Sequence, residues 1–191
     1  ISTTMITFNN IVELNENKGQ GISAFQLTAN FKDTLTANEN LEYGINAFSS
    51  TFTFDKAVTT NNNQFGGLQL GGTSNITFNS IFTANENQLE GIRLSSSTKA
   101  TFNDTVTAIN NIGNGIVLSG SNVTFNGDVT TDSLIMSGNN QIEFGKGVAI
   151  SAPVINFNLS SDSSAKFIGS LVPIDKTGVI TINTTHDGTN A

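Results

Sequence analysis

A phenylalanine recurs along the chain at nearly constant spacing, and this recurrence limits the possible folds more than any other feature. The eight recurring residues are Phe8, Phe31, Phe54, Phe78, Phe102, Phe125, Phe144 and Phe167, which follow one another at 23, 23, 24, 24, 23, 19 and 23 residues. We call them the repeat Phe residues. Self-similarity at a period of this length is typical of solenoids, in which each repeat is one structural unit that stacks on the next.

The neighbours of each repeat Phe recur with it and mark short strands. The residues two places before are apolar: Ile6, Ala29, Phe52, Ile76, Ala100, Val123, Ile142 and Ala165. The residues four places after are also apolar: Val12, Leu35, Val58, Phe82, Val106, Val129, Val148 and Leu171. A third block opens with Gly and an aliphatic residue, at Gly21-Ile22, Gly44-Ile45, Gly67-Leu68, Gly91-Ile92 and Gly115-Ile116. Alternating apolar and polar residues indicate half-buried strands.

Three strands within 23 residues leave no room for a helix, so we predict an all-β fold. The sequence predicts a right-handed single-stranded parallel β-helix of about eight coils, each with three short strands, in which equivalent residues stack at a spacing of about 4.8 Å. The repeat Phe residues would then form a continuous structural ladder. We predict one domain over residues 1–191, with regular coils over 6–171 and an irregular segment over 172–191.

Asparagine recurs in the turns between the predicted strands. One column lies seven residues after the repeat Phe, at Asn15, Asn38, Asn61 and Asn85. A second lies nine residues after, at Asn17, Asn40, Asn63, Asn87 and Asn111. Asn tolerates turn conformations and bonds neighbouring backbone, so we predict a structural role for both columns.

The repeat is interrupted in the coil that ends at Phe144, which is four or five residues short. Its Gly-aliphatic block is replaced by Ser133-Leu134-Ile135-Met136. We expect a specific binding site at this interruption, over residues 131–140, or along the Asn-Glu-Asn turns, because sites concentrate where loops depart from a scaffold. Further on, residues 179–182 read as one more strand.

Composition excludes several classes of function. The net charge of −7 argues against a nucleic-acid partner, which needs clustered cations. The chain has no Cys, so it has neither disulfides nor thiolate metal sites, and it has no apolar run long enough for a membrane-spanning helix. We expect no cofactor and no direct membrane insertion of this segment. Because the chain begins Ile-Ser-Thr-Thr, we read it as a fragment of a larger protein.

Catalytic chemistry would need grouped carboxylates or an oriented histidine. Glu16, Glu39 and Glu86 occupy one equivalent place, eight residues after the repeat Phe, and form a possible binding face. No basic residue recurs beside them, and His186, the sole histidine, lies in the predicted tail. We predict no catalytic residues and no metal site. A polysaccharide-active lyase or hydrolase remains the alternative, because such enzymes also use parallel β-helices.

Threonine suggests a third function. Thr7, Thr53, Thr77, Thr101 and Thr124 precede the repeat Phe, and Thr36, Thr59, Thr83, Thr107 and Thr130 lie five residues after it. Outward Thr arrays occur on ice-binding solenoids. However, an Asn or Asp turn separates the two columns, so we predict that they lie on different faces. Ice binding is the weaker alternative.

The coils at residues 76–94 and 100–118 resemble passenger domains of bacterial type V autotransporters, in particular rickettsial surface antigens and chlamydial polymorphic outer-membrane proteins. Phe82-Thr83-Ala84-Asn85 matches the chlamydial F-x-x-N motif, and single Gly-aliphatic pairs stand in place of its G-G-A-[ILV] motif. The resemblance covers residues 6–150. It implies a virulence-associated adhesin or stalk that is exposed at the bacterial outer membrane or secreted. A β-barrel outside this fragment would tether it, and its partner would be a host-cell surface protein or glycan.

Overall fold

The computed structural model describes residues 5–145, 148–159, 164–167 and 179–184. Over these residues the chain is a β-solenoid, in which three parallel sheets run along the rod and each full coil adds one strand to each sheet. Two sheets have eight strands and one has seven, which makes about seven full turns and confirms the predicted all-β parallel solenoid with three strands in each coil. No helix that could cross a membrane occurs in this part of the chain.

We name the sheets A, B and C in the order in which a coil visits them. Sheet A contains β1 (Met5–Phe8), β4 (Thr28–Phe31), β7 (Thr51–Phe54), β10 (Asn75–Phe78), β13 (Lys99–Phe102), β16 (Asn122–Phe125), β19 (Gln141–Phe144) and β22 (Ser164–Phe167). Sheet B contains β2 (Val12–Glu13), β5 (Leu35–Thr36), β8 (Val58–Thr59), β11 (Phe82–Thr83), β14 (Val106–Ala108), β17 (Val129–Thr131) and β20 (Ile150–Ser151). Sheet C contains β3 (Ile22–Phe25), β6 (Ile45–Phe48), β9 (Leu68–Gly71), β12 (Ile92–Ser95), β15 (Ile116–Ser119), β18 (Ser133–Gly138), β21 (Val154–Leu159) and β23 (Val179–Thr184).

The repeat Phe residues end the strands of sheet A and pair with one another across it, as predicted. From Phe8 to Phe144 the rings of successive coils are stacked, with centroids 4.7–5.3 Å apart and planes within 17° of parallel. Aromatic pairs in such arrangements contribute about 0.5–1.5 kcal/mol beyond the area they bury. The stack therefore fixes the alignment of one coil on the next.

Aliphatic columns from sheets B and C complete the core opposite the Phe stack. Ile45, Leu68, Ile92 and Ile116 are fully buried and pair in register in sheet C. The replacement block of the short coil continues this column, because Leu134 pairs with Ile116, and β23 confirms the extra strand predicted near the end of the chain.

One sequence alignment was wrong. We placed Val148 in the sheet B column after Val129, but Val129 pairs with Ile150. The connection from β19 to β20 is two residues longer than the connection from β16 to β17, since five residues rather than three separate the strands. A count from the repeat Phe therefore selects the wrong residue, although Val148 is itself buried.

The turns from sheet B to sheet C contain a buried amide ladder, formed by Asn17, Asn40, Asn63, Asn87 and Asn111. In each step the side-chain oxygen of one Asn accepts hydrogen bonds from the backbone N–H and the side-chain NH₂ of the Asn one coil earlier, at 2.8–3.1 Å. In the second predicted Asn column the hydrogen bonds run in the opposite direction along the rod, because the acceptor lies one coil earlier than the donor. Asn15 Oδ1 accepts from the N–H of Asn38 at 2.9 Å. Both structural predictions are confirmed.

The short coil ends the buried amide ladder. A single residue, Asp132, connects β17 to β18, so this coil has no room for the turn that carries Asn in the earlier coils. The Asp132 carboxylate accepts the backbone N–H of Asn111 at 2.9 Å and takes the place of the missing amide. A carboxylate accepts hydrogen bonds without donating any, which suits the last position of the ladder.

We predict that Phe102→Ala lowers the free energy of unfolding by about 3–5 kcal/mol, because it removes a buried ring from the middle of the stack and leaves a cavity. Phe25→Ala is the control, since Phe25 is 72% exposed, and it is expected to change stability by no more than about 0.5 kcal/mol. Urea denaturation monitored by circular dichroism measures both. Equal losses in the two variants would contradict the proposed role of the Phe stack.

We predict that Asn63→Ala destabilises the protein by about 1–3 kcal/mol for each buried group left without a partner, among them the backbone N–H of Asn40. The matched variant is Asn103→Ala, which removes an exposed amide that bonds Asn79 and Asn126. Water replaces the lost bonds there, so a change within about 0.5 kcal/mol is expected. Equal falls in melting temperature for the two variants would show that burial does not determine how much each amide contributes to stability.

Candidate functional site

The outward side of sheet A is a polar surface that runs along the rod. In each strand the residues three and one before the repeat Phe point away from the core, as in Asn75–Phe78, where burial alternates along the strand. The first outward column is Met5, Thr28, Thr51, Asn75, Lys99, Asn122, Gln141 and Ser164, and the second is Thr7, Asn30, Thr53, Thr77, Thr101, Thr124, Glu143 and Lys166. We call these two columns the sheet A face.

A groove of about 350 Å³ lies on the sheet A face and crosses β10, β13, β16, β19 and β22. Amide and hydroxyl side chains form half of its lining, among them Asn75, Asn122, Gln141 and Thr124. The backbone N–H and C=O groups beneath the groove already form the hydrogen bonds of the parallel strand pairing. A ligand in this groove would therefore bind the side chains and not add a strand.

The groove contains three charged side chains, and two of them form an ion pair with each other. Lys166 Nζ lies 3.4 Å from Glu143 Oε1, and both side chains are largely exposed, so the pair contributes little to stability. Lys99 is exposed and forms no ion pair with any residue that the structure describes. The described part of the sheet A face thus carries two Lys and one Glu, although the whole chain carries fifteen acidic and eight basic residues.

The predicted binding face at Glu16, Glu39 and Glu86 lies elsewhere, on exposed turns between sheets B and C. All three residues have positive φ angles of 57–59°, and Asn62 and Asn110, which hold the same place in the other coils, share this conformation. Each Glu donates its backbone N–H to a carbonyl of the next coil. The left-handed conformation costs a residue with a Cβ about 1–2 kcal/mol, so this turn position is energetically unfavourable for Glu. Asn62 separates Glu39 from Glu86, as the sequence indicated.

Side chains of the predicted site at the repeat interruption are used internally. Thr131, Ser133 and Asn140 are buried. Thr131 Oγ1 donates to the carbonyl of Ser133 at 3.0 Å, Ser133 Oγ accepts from the N–H of Gly115, and Asn140 Oδ1 accepts from the N–H of Ser121. These bonds close the short coil on the coil before it.

The two Thr columns lie on different sheets, as predicted. Thr77, Thr101 and Thr124 belong to sheet A, whereas Thr83, Thr107 and Thr130 belong to sheet B. His186 lies outside the described residues.

An exposed amide ladder borders the sheet A face, immediately after the repeat Phe residues. Asn126, Asn103 and Asn79 each donate a side-chain NH₂ to the side-chain oxygen of the residue one coil earlier, and the series ends on the Asp55 carboxylate. Lys32 Nζ lies 2.7 Å from Asp55. The hydrogen bond from Lys32, followed by that from Asn79, lowers the pKa of Asp55 below its ordinary value.

A second surface, which the sequence repeat did not predict, lies on the turns between sheets B and C. Leu41, Phe65, Leu89 and Ile112 expose large apolar side chains there, and the rings of Phe65 and Tyr43 meet edge to face at 5.4 Å. Burial of Tyr43, with a smaller effect of Glu90, raises the pKa of its hydroxyl. These apolar residues lie either ten or eleven places after the repeat Phe, so they do not hold one place in the sequence repeat.

Comparison of the chain with protein-family models, with curated proteins and with solved structures finds no match. Among the described residues, no group of three or more His, Cys, Asp or Glu side chains is placed to hold a metal ion.

The sheet A face could have been found from the sequence. The place three residues before the repeat Phe holds Asn75, Lys99, Asn122 and Gln141 in four successive coils. Because side chains alternate along a strand, this place must share a surface with the Thr column two residues later. The Thr column and this amide-rich place together indicate one outward polar surface.

We predict that Glu39→Asn keeps or raises stability by up to about 1 kcal/mol, because Asn adopts positive φ more readily than Glu and already occupies this place at Asn62 and Asn110. Thermal melting measures the change. The same variant is expected to retain full binding in the assay described below. If Glu39→Asn binds more weakly while its stability is unchanged, the Glu column would be part of the binding site.

Proposed function

We propose that this chain is a segment of a bacterial surface protein of the autotransporter passenger type, and that it binds an extended partner through the sheet A face. The observation that carries the proposal is the continuous polar face with its groove, held flat on a rod by coil-to-coil pairing. The proposed role is adhesion, with the remaining coils serving as a stalk. We propose a binding role and not a catalytic one.

The rod suits a stalk because it is stiff and extended. Each coil contacts its neighbours through three parallel strand pairings, and each coil adds about 4.8 Å to the length. Stacked rings and buried amides resist sliding of one coil on another. A scaffold of this kind holds a surface away from a membrane with few long loops.

The sheet A face suits a large ligand better than a small one. Small-molecule sites are concave and mostly apolar, and they enclose most of the ligand. This groove is instead open along five strands and is lined by amides and hydroxyls such as those of Asn122, Thr124 and Gln141. Such groups favour a polar polymer, for which a host-cell surface glycan or protein is the proposed partner. Exposure at the outer membrane or secretion follows from the same proposal, supported by the repeat resemblance.

We predict that Thr101→Gln with Thr124→Gln weakens binding to mammalian cells at least tenfold, because two longer neutral side chains fill the groove. The labelled chain is titrated on cells by flow cytometry, with an unrelated β-solenoid as the background control. Saturable binding above that background is expected for the unchanged chain.

The matched control is Thr107→Gln with Thr130→Gln. These residues belong to the same two coils and are half-buried like the first pair, but they point outward from sheet B. Their replacement is expected to leave binding unchanged. Binding that both pairs weaken equally would show that the sheet A face is not the contact surface, and no saturable binding at all would leave the segment as a stalk alone.

A further inference from the structure

We infer that the ligand of the sheet A face is an acidic polysaccharide that lies parallel to the rod axis, with a carboxylate of the sugar paired to Lys99. This inference rests on the proposed function and names the ligand class of the same site. It follows from three features of the described residues: the sign of the charge on the face, the chemistry of the groove lining and the period of the coils.

Acidic side chains are scarce on the described part of the sheet A face. Glu16, Glu39 and Glu86 lie on the turns between sheets B and C, whereas Glu143 is the sole acid in the described part of the sheet A face. Glu143 is paired with Lys166. Lys99 therefore provides the unpaired charge of the groove, and it selects an anionic group on a ligand.

The groove lining matches a chain of sugar rings. Asn and Gln side chains both donate and accept hydrogen bonds, and Thr hydroxyls do the same, so the face can satisfy hydroxyl groups of either role. Asn122 and Gln141 follow Lys99 in successive coils on the same outward column. A carboxylate at Lys99 would thus be followed by hydroxyl contacts at Asn122 and Gln141.

The period of the rod matches the period of such a chain. Successive coils are about 4.8 Å apart along the axis. A pyranose ring linked through its 1 and 4 positions advances an extended polysaccharide by a similar length. A chain parallel to the axis would therefore present one sugar to each coil, and the groove crosses five strands of sheet A. Five sugar residues would span its length.

The test measures binding of oligogalacturonates of one to eight sugars to the purified chain by isothermal titration calorimetry. The comparison ligands are the same oligosaccharides with each carboxylate reduced to a primary alcohol. We expect the acidic series to bind more tightly, with an affinity that rises to about five sugars, then levels off, and falls as salt is added. Tighter binding of the reduced series, or an affinity independent of length, would overturn the inference.

Lys99→Gln is expected to weaken binding of the acidic pentamer about tenfold or more, since it removes a charged hydrogen bond. Lys99→Arg should retain most of the affinity. Lys18→Gln is the matched control, because Lys18 is also exposed but lies on a turn between sheets B and C. Both positions are at the surface, so unchanged melting temperatures of all three variants are expected to show that folding is intact.

The outcomes separate this inference from the proposed function. If both oligosaccharide series bind alike and Lys99→Gln changes nothing, the acidic ligand is wrong, while loss of cell binding in the Thr101 and Thr124 variant would still support the sheet A face. If no oligosaccharide binds, the inference fails by itself. If the Thr101 and Thr124 variant also binds cells normally, the proposed function fails with it.

Discussion

Parallel pairing of each coil with the next is the interaction on which the rest of this structure depends. It places chemically equivalent residues above one another, so a ring meets a ring at Phe78 and Phe102, and an amide meets an amide at Asn63 and Asn87. Neither group is satisfied within one coil. The ring would be half exposed and the amide would lack partners, and stability is therefore a property of neighbouring coils together. This dependence explains why the sequence repeats residue types and not merely hydrophobicity.

The repeat was enough to predict the sheets, the Phe stack and the two turn columns of Asn, because those features follow from spacing alone. Val148 was misplaced because a longer turn after Phe144 keeps the hydrophobic pattern and changes the register. The left-handed backbone at Glu39 was not predicted, since Glu rarely adopts it and its neighbours gave no sign. The groove was missed for another reason, as it depends on which outward columns share a sheet, a relation between strands rather than a motif.

The same side chain has two different roles in this chain, and burial decides between them. Asn87 is fully buried and its side-chain oxygen and NH₂ both bond neighbouring Asn residues, so a ligand cannot reach it. Asn122 is exposed on sheet A, and its amide faces solvent beside Lys99. An abundance of Asn is therefore uninformative about binding until the outward and inward columns have been separated. The proposal for the sheet A face depends on that separation.

Asp132 closes the buried amide ladder, and this has a consequence for how such a rod can change its length over evolutionary time. If one coil of 23 or 24 residues before Asp132 is duplicated or deleted, every amide of the ladder still has a partner. The reason is that the same Asn–Asn hydrogen bonds join each pair of adjacent coils. Recombination between repeats would thus be tolerated in this half of the chain. Beyond Asp132 the sequence no longer repeats this Asn, and an exchange there would leave mismatched neighbours. Differences in the number of coils are therefore expected to accumulate before Asp132.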